Sequence, residues 1–163
     1  MKTIGLLSDT HTFVDDKILN FFNNCDEIWH AGDIGNIQTA DLLAAHKPLK
    51  AVYGNIDGHE IRRIYPEHLR FICEGLDVWI THIGGYPGRY DRAVYSEIQR
   101  NPPGLFISGH SHILKVIHDN KLNLLHINPG AAGKSGLHMV RTAVRFQIEN
   151  GIIKNLELLE IKR

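Results

Sequence analysis

The sequence predicts an α/β protein made of two packed mixed β-sheets with helices on the outside. Three observations point there. The first half alternates short apolar strands with helical segments, a rhythm that produces parallel strands joined by crossover helices. The second half is mostly strands with a single helix among them. The loop after the first strand also lacks the GxGxxG of a doubly wound dinucleotide-binding sheet, since residues 5–9 read Gly-Leu-Leu-Ser-Asp.

Each element has its own signal. Lys2 to Leu7 reads as a buried strand, and Asp15 is a side-chain cap for a helix running through Leu19 and Phe22. Glu27 to His30 is a short strand. Ile37 to Ala45 is a second helix, with Leu42, Leu43 and Ala45 as its apolar residues, and it stops before Pro48. Lys50 to Tyr53 is a third strand. Leu69 to Thr81 reads as a hairpin around Gly75, followed by a helix over Ala93 to Arg100 that Pro102 and Pro103 end. Five further strands complete the chain, the last two joined by Asn150-Gly151, a strong two-residue hairpin signal.

Composition narrows the function. With 163 residues, 43% hydrophobic and 22% charged, the chain is expected to form one domain over residues 1–163 with a substantial core. Lys plus Arg equals Asp plus Glu at 18 each, so no global field collects nucleic acid or acidic membranes, and no nucleic-acid groove is expected. The two cysteines form no CxxC, no signal peptide is apparent, and no apolar run reaches membrane-spanning length. The expected location is the cytoplasm, and self-association into a homo-oligomer is compatible with the sequence.

The informative residues follow the buried strands. Ser8-Asp9-Thr10-His11 follows the first, Gly32-Asp33 the second, Gly54-Asn55-Ile56-Asp57 the third, and His82 and Gly109-His110-Ser111-His112 two later ones. Strand ends at one edge of an α/β sheet converge on a crevice. The donors are Asp9, His11, Asp33, Asn55, His82, His110 and His112. Oxygen and imidazole donors without thiolates suit Mn, Fe, Zn or Ni rather than a structural zinc site. Seven donors exceed the needs of one tetrahedral ion; two ions sharing a carboxylate fit better. Side chains two apart on an extended segment face the same way. Asp9 and His11 are therefore expected side by side, and His110 and His112 are read as one ligand for each ion.

In this order the motifs DxH, GD, GN, H and GHxH resemble the calcineurin-like metallophosphoesterases, closest to the small single-domain bacterial and archaeal phosphodiesterases. That branch also contains a retromer subunit on the same fold. "INPG" at Ile127 to Gly130 matches too. The resemblance implies the metallo-dependent phosphatase fold and a metal-bridging water or hydroxide as nucleophile. Its substrate would be a small phosphate ester, most readily a phosphodiester. It also implies that Asp9, His11, Asp33 and His112 hold one ion and Asp33, Asn55, His82 and His110 the other. Manganese is the first expectation for the two divalent cations, with Ni, Fe, Zn or Mg as others. A catalytically weak metal-binding scaffold or interaction module on the same fold is the alternative.

Two departures stand out. Many family members have a histidine after GN that assists as general acid; here Ile56 cannot transfer a proton. The usual His-Gly is replaced by His82-Ile83-Gly84-Gly85-Tyr86-Pro87-Gly88-Arg89-Tyr90. Arg89 is expected to pair with a phosphate oxygen and Tyr86 or Tyr90 to pack on the leaving group.

Overall fold

The computed structural model describes all residues, Met1–Arg163. The first half forms β1 (Lys2–Leu7), α1 (Asp16–Phe21), β2 (Glu27–His30), α2 (Ile37–His46), β3 (Leu49–Ala51) and the single-turn α3 (His59–Arg62). Then come β4 (His68–Cys73), β5 (Leu76–Thr81), a two-rung hairpin of β6 (Gly85–Tyr86) and β7 (Arg89–Tyr90), α4 (Arg92–Arg100) and β8 (Leu105–Ile107). The chain ends with β9 (Leu114–Asp119), β10 (Leu124–Pro129), β11 (Val140–Glu149) and β12 (Ile152–Lys162).

Two five-stranded sheets result, in the orders β12-β11-β1-β2-β3 and β4-β5-β8-β10-β9. β1, β2 and β3 pair in parallel, as do β5, β8 and β10. Each sheet therefore presents the carboxyl ends of three strands at one edge. Antiparallel strands form every outer edge except that of β3; Asn150 and Gly151 turn the β11–β12 hairpin with φ of 50° and 76°, the positive pair that a type I′ turn demands.

Strand alternation sets the layers. Ile4 and Leu6 of β1 face the second sheet and join Trp29, Val78, Ile80, Leu105, Ile107, Ile127 and Phe146 in the central core. Leu7 faces outward, where Ile18, Phe22 and Leu43 of the α1 and α2 region cover it. On the far side, Val94 and Ile98, one helical turn apart on α4, cover Trp79, Phe106 and Leu124. Burying each aliphatic chain there contributes roughly 1.5–3 kcal/mol.

Most expected elements are present, with three differences. On α2 the buried face is Thr39, Ala40 and Leu43, and Leu42 is exposed. The Asn36 side chain caps that helix at Thr39 N–H and sets its rotation. The short α3 has no side-chain cap, and β6–β7 is folded about Pro87-Gly88. Both lie in stretches too short for periodicity to show.

Candidate metal centre

The loops that leave β1, β2, β3, β5 and β8 meet at the common edge of the two sheets. They are laced by backbone hydrogen bonds that continue past the strands: Asp9 N–H to Gly32 O at 2.9 Å, His11 N–H to Asp33 O at 3.1 Å, and Gly109 N–H to His82 O at 2.9 Å. Asp9, His11, Asp33, His110 and His112 all have positive φ, between 44° and 71°. Non-glycine residues rarely adopt this region, and clusters of them mark functional sites. The expectation that Asp9/His11 and His110/His112 lie on extended backbone is thus corrected. Left-handed turns, not strand alternation, aim these side chains.

The result is two groups. Donor atoms of Asp9, His11 and His112 lie within 4.8 Å of one another, as do those of Asp33, His82 and His110. His110 and His112 fall in different groups. Asp9 Oδ1 stands 3.1 Å from His112 Nε2 and 3.8 Å from His11 Nε2. Asp33 Oδ2 stands between the groups, 3.5 Å from His11 Nε2 and 3.3 Å from His82 Nε2. Ligands about 2.1 Å from a shared ion lie roughly 3.0–3.4 Å apart in octahedral or tetrahedral arrangements, so these separations suit a cation with little movement. Asn55 is exposed and, with His82, lines a neighbouring cavity of about 470 Å³.

Hydrogen bonds divide each carboxylate into a held oxygen and a free one. Asp9 Oδ2 accepts from Ser8 Oγ at 2.5 Å and from His110 N–H at 3.1 Å, whereas Oδ1 has no hydrogen bond. Asp33 Oδ1 accepts from Ile56 N–H at 3.1 Å, leaving Oδ2 to the histidines. His82 Nδ1 lies 2.7 Å from the Ala31 carbonyl, which fixes the proton on Nδ1 and presents the Nε2 lone pair to the site. Three of the six buried side-chain atoms without a hydrogen bond are Asp9 Oδ1, His11 Nε2 and His82 Nε2. Unsatisfied acceptors converging at one point are what a cation satisfies.

The same proximity shifts the titrations. Burial pushes the Asp9 carboxyl up, but His11, His112, His82 and Ser8 outweigh it and hold it well below the carboxylate range. Burial likewise opposes the lowering of Asp33 by His82 and the Ile56 N–H. The Asp9 carboxylate raises His11, while burial of His82 is overcome by Asp33 and Asp9, so its value rises too.

Two glycines are required by close approach. A Cβ on Gly54 would lie 2.0 Å from Asp33 Oδ1, and one on Gly109 would lie 2.2 Å from Ser8 Oγ. Any side chain there displaces a carboxylate or its support.

Three further residues hold the loops: His30 and Asn128, which the sequence marks as structural support beside the motifs, and Asp57, which sequence reasoning missed. Asp57 is buried and accepts three backbone N–H groups: Ile34 at 3.1 Å, Gly35 at 2.8 Å and Gly54 at 2.8 Å. It therefore ties the loop bearing Asp33 to the loop bearing Asn55. Asn128 does the same for the histidine doublet, donating to Gly109 O at 2.9 Å and to Ser111 Oγ at 3.1 Å. His30 accepts from Gly32 N–H on Nδ1 at 3.0 Å, so its Nε2–H donates to Thr10 Oγ1, also at 3.0 Å. Burial lowers its pKa to about 4 and keeps it neutral.

The glycine-rich loop is divided in its roles. Tyr86 lines a smaller cavity beside His110. Arg89 is exposed, opposite Tyr86 in the hairpin. Tyr90 is half-buried: its hydroxyl donates to Asp119 at 2.7 Å and its ring packs edge-on to Phe106, so both are engaged by the fold. His59 opens α3 and lines a separate surface cavity with Glu60 and Arg63. No helix is long and apolar enough to cross a membrane.

Comparison with known proteins agrees with this geometry. The profile of the calcineurin-like phosphoesterase superfamily domain matches residues 1–151. A probable metallophosphoesterase of Methanocaldococcus jannaschii is 31% identical over 137 residues, covering 78% of this chain and 67% of that protein. Among solved structures, an archaeal phosphodiesterase superposes with a TM-score of 0.74 at 22% identity, covering 96% of this chain and 99% of the other. Vps29 of Entamoeba histolytica, solved with zinc, gives a TM-score of 0.74 at 17% identity and covers 98% of both chains. At those identities the two structures show the shared fold.

Proposed function

The chain belongs to the calcineurin-like phosphoesterase superfamily, and from that premise we propose that it hydrolyses phosphodiesters with two divalent cations. One observation carries the two-cation reading. Asp33 Oδ2 stands between unpartnered His11 Nε2 and His82 Nε2, each within 3.5 Å, in the position of a shared ligand. Asp9, His11, Asp33 and His112 would hold one cation, and Asp33, Asn55, His82 and His110 the other. Bound cations of this kind supply a water acidic enough to attack phosphorus and positive charge for the phosphoryl oxygens. The oxygen and imidazole donor set suits Mn, with Fe, Ni or Zn as competitors.

The chain's own residues set the remaining chemistry. Ser8 and the His110 N–H hold Asp9 in one orientation, so its free oxygen needs no reorganisation. The Ala31 carbonyl keeps His82 in the tautomer that donates Nε2. Only two carboxylates offset the cations, which leaves an excess of positive charge for a phosphate anion. Ile56 offers its backbone N–H to Asp33 and no proton to a leaving group, so we read a preference for diesters over monoesters with the departing oxygen protonated by water. The neighbouring archaeal phosphodiesterase structure supports the same preference.

A second reading, a metal-binding interaction module, draws on the Vps29 neighbours and on Leu137 and Met139, 98% and 80% exposed on the segment that carries His138. One experiment separates the two. Protein stripped with chelator and reloaded with Mn²⁺, Ni²⁺ or Mg²⁺ is assayed on bis(4-nitrophenyl) phosphate and on 4-nitrophenyl phosphate. Metal-dependent turnover of the diester, at least tenfold above the monoester, is expected. Inactivity on both with cations bound would favour the interaction module.

A further inference from the structure

A second cavity, of about 160 Å³, lies beside His110 under the β6–β7 hairpin, with Tyr86, Ser111, Lys115 and His126 among its walls. His126 on β10 is fully buried. Its Nδ1 lies 3.1 Å from the Phe106 carbonyl, so that nitrogen carries the proton and Nε2 is a lone pair. Nε2 has no partner. Burial lowers the ring's pKa to about 4, with Lys115 adding to the effect, so Nε2 is an acceptor near neutral pH. Across the cavity the Lys115 ammonium rests 3.7 Å from the Tyr86 ring centroid. Ser111 Oγ accepts from Asn128 and from Ile113 N–H, which leaves its own hydrogen available.

A cavity of roughly 150 Å³ holds one benzene-sized ring. The walls offer an unsatisfied acceptor together with a cationic donor. A six-membered ring with an N–H beside a C=O, the imide edge of uracil, matches that pairing. We propose that this cavity is a leaving-group subsite for a pyrimidine nucleoside, His126 Nε2 accepting the imide N–H and Lys115 donating to the adjacent carbonyl. The inference rests on the phosphodiesterase reading for its place in the reaction. Hydrolysis forms a phosphorus–oxygen bond to water and breaks the one to the nucleoside oxygen. One proton of the water ends on that oxygen, and the nucleoside leaves as the alcohol.

The test needs no turnover. Full-length protein with ¹⁵N-labelled histidine is titrated with uridine and with N3-methyluridine, which lacks the imide proton. Uridine is expected to bind about tenfold more tightly and to shift the His126 Nε2 resonance as its lone pair accepts a bond. In His126→Phe the two nucleosides should bind alike. Equal affinity for both in the wild type, binding of neither, or an unmoved Nε2 resonance would overturn the proposal. The wild-type comparison stands even if the variant fails to fold. A protein that prefers uridine yet hydrolyses no diester would refute the phosphodiesterase reading alone.

Discussion

Replacing Asp57 should damage the site from a distance. Its two oxygens accept three backbone N–H groups, two of them (Ile34 and Gly54) on Oδ2 and one (Gly35) on Oδ1. In Asp57→Ala all three donors lose their partner in a buried loop junction, at about 1–3 kcal/mol each, while relief from desolvating the carboxylate offsets part of the loss. We expect a net destabilisation of about 4 kcal/mol, which for a chain of this size lowers Tm by about 10 °C. Asp57→Asn can keep its oxygen where Oδ2 was and so retain two of the bonds, but its amide then faces the Gly35 N–H; about 2 kcal/mol is expected. Because Asp33 and Asn55 sit on the two loops that Asp57 joins, both variants should also bind Mn²⁺ more weakly, by at least tenfold. Urea melts read the first effect and a Mn²⁺ titration the second. Wild-type stability in Asp57→Ala, or lost stability with unchanged cation affinity, would refute the view that this carboxylate holds the site together.

Two other outcomes follow from the geometry. Gly54→Ala places a methyl about where Asp33 Oδ1 and its N–H already sit, so diester hydrolysis should fall more than 100-fold with far-UV circular dichroism retained; wild-type turnover would contradict the close approach. His30 and His126, both lowered by burial from 6.5 to about 4, make the unfolded chain the better proton acceptor between those values. Stability should therefore fall as pH drops from 6.5 towards 4, by up to about 3 kcal/mol per histidine. Urea melts of His126→Phe from pH 7 to 5 should show a shallower loss than the wild type, and an identical slope would count against this.

The strands and the donor residues were legible because both are local. An apolar run of four residues, Ile4 to Leu7, followed by Ser-Asp-Thr-His announces a buried strand and a polar exit without knowledge of the rest. The grouping of His110 with Asp33 and of His112 with Asp9 came from the family resemblance, since the spacing alone said only that the two histidines serve different ions. The backbone that achieves it was not legible, because nothing in the identity of Asp9 or His112 marks a positive φ; the crossing of neighbouring loops imposes it. Asp57 escaped notice for a similar reason. An acidic residue after Gly-Asn-Ile looks solvated until folding brings Ile34 and Gly35 against it. Tyr90 has partners that the sequence did not show. Its place in a glycine-rich loop suggested substrate, and only folding brings the distant Asp119 and Phe106 against it.

The central claim is that Asp33 is shared by two cations. Calorimetric and electron paramagnetic resonance titration of chelator-stripped protein with Mn²⁺, compared with Asp33→Ala, tests it most directly. Two equivalents and a spin-coupled pair are predicted for the wild type, with both sites lost in the variant. A single equivalent in the wild type, or a variant that keeps one site at full affinity, would contradict it.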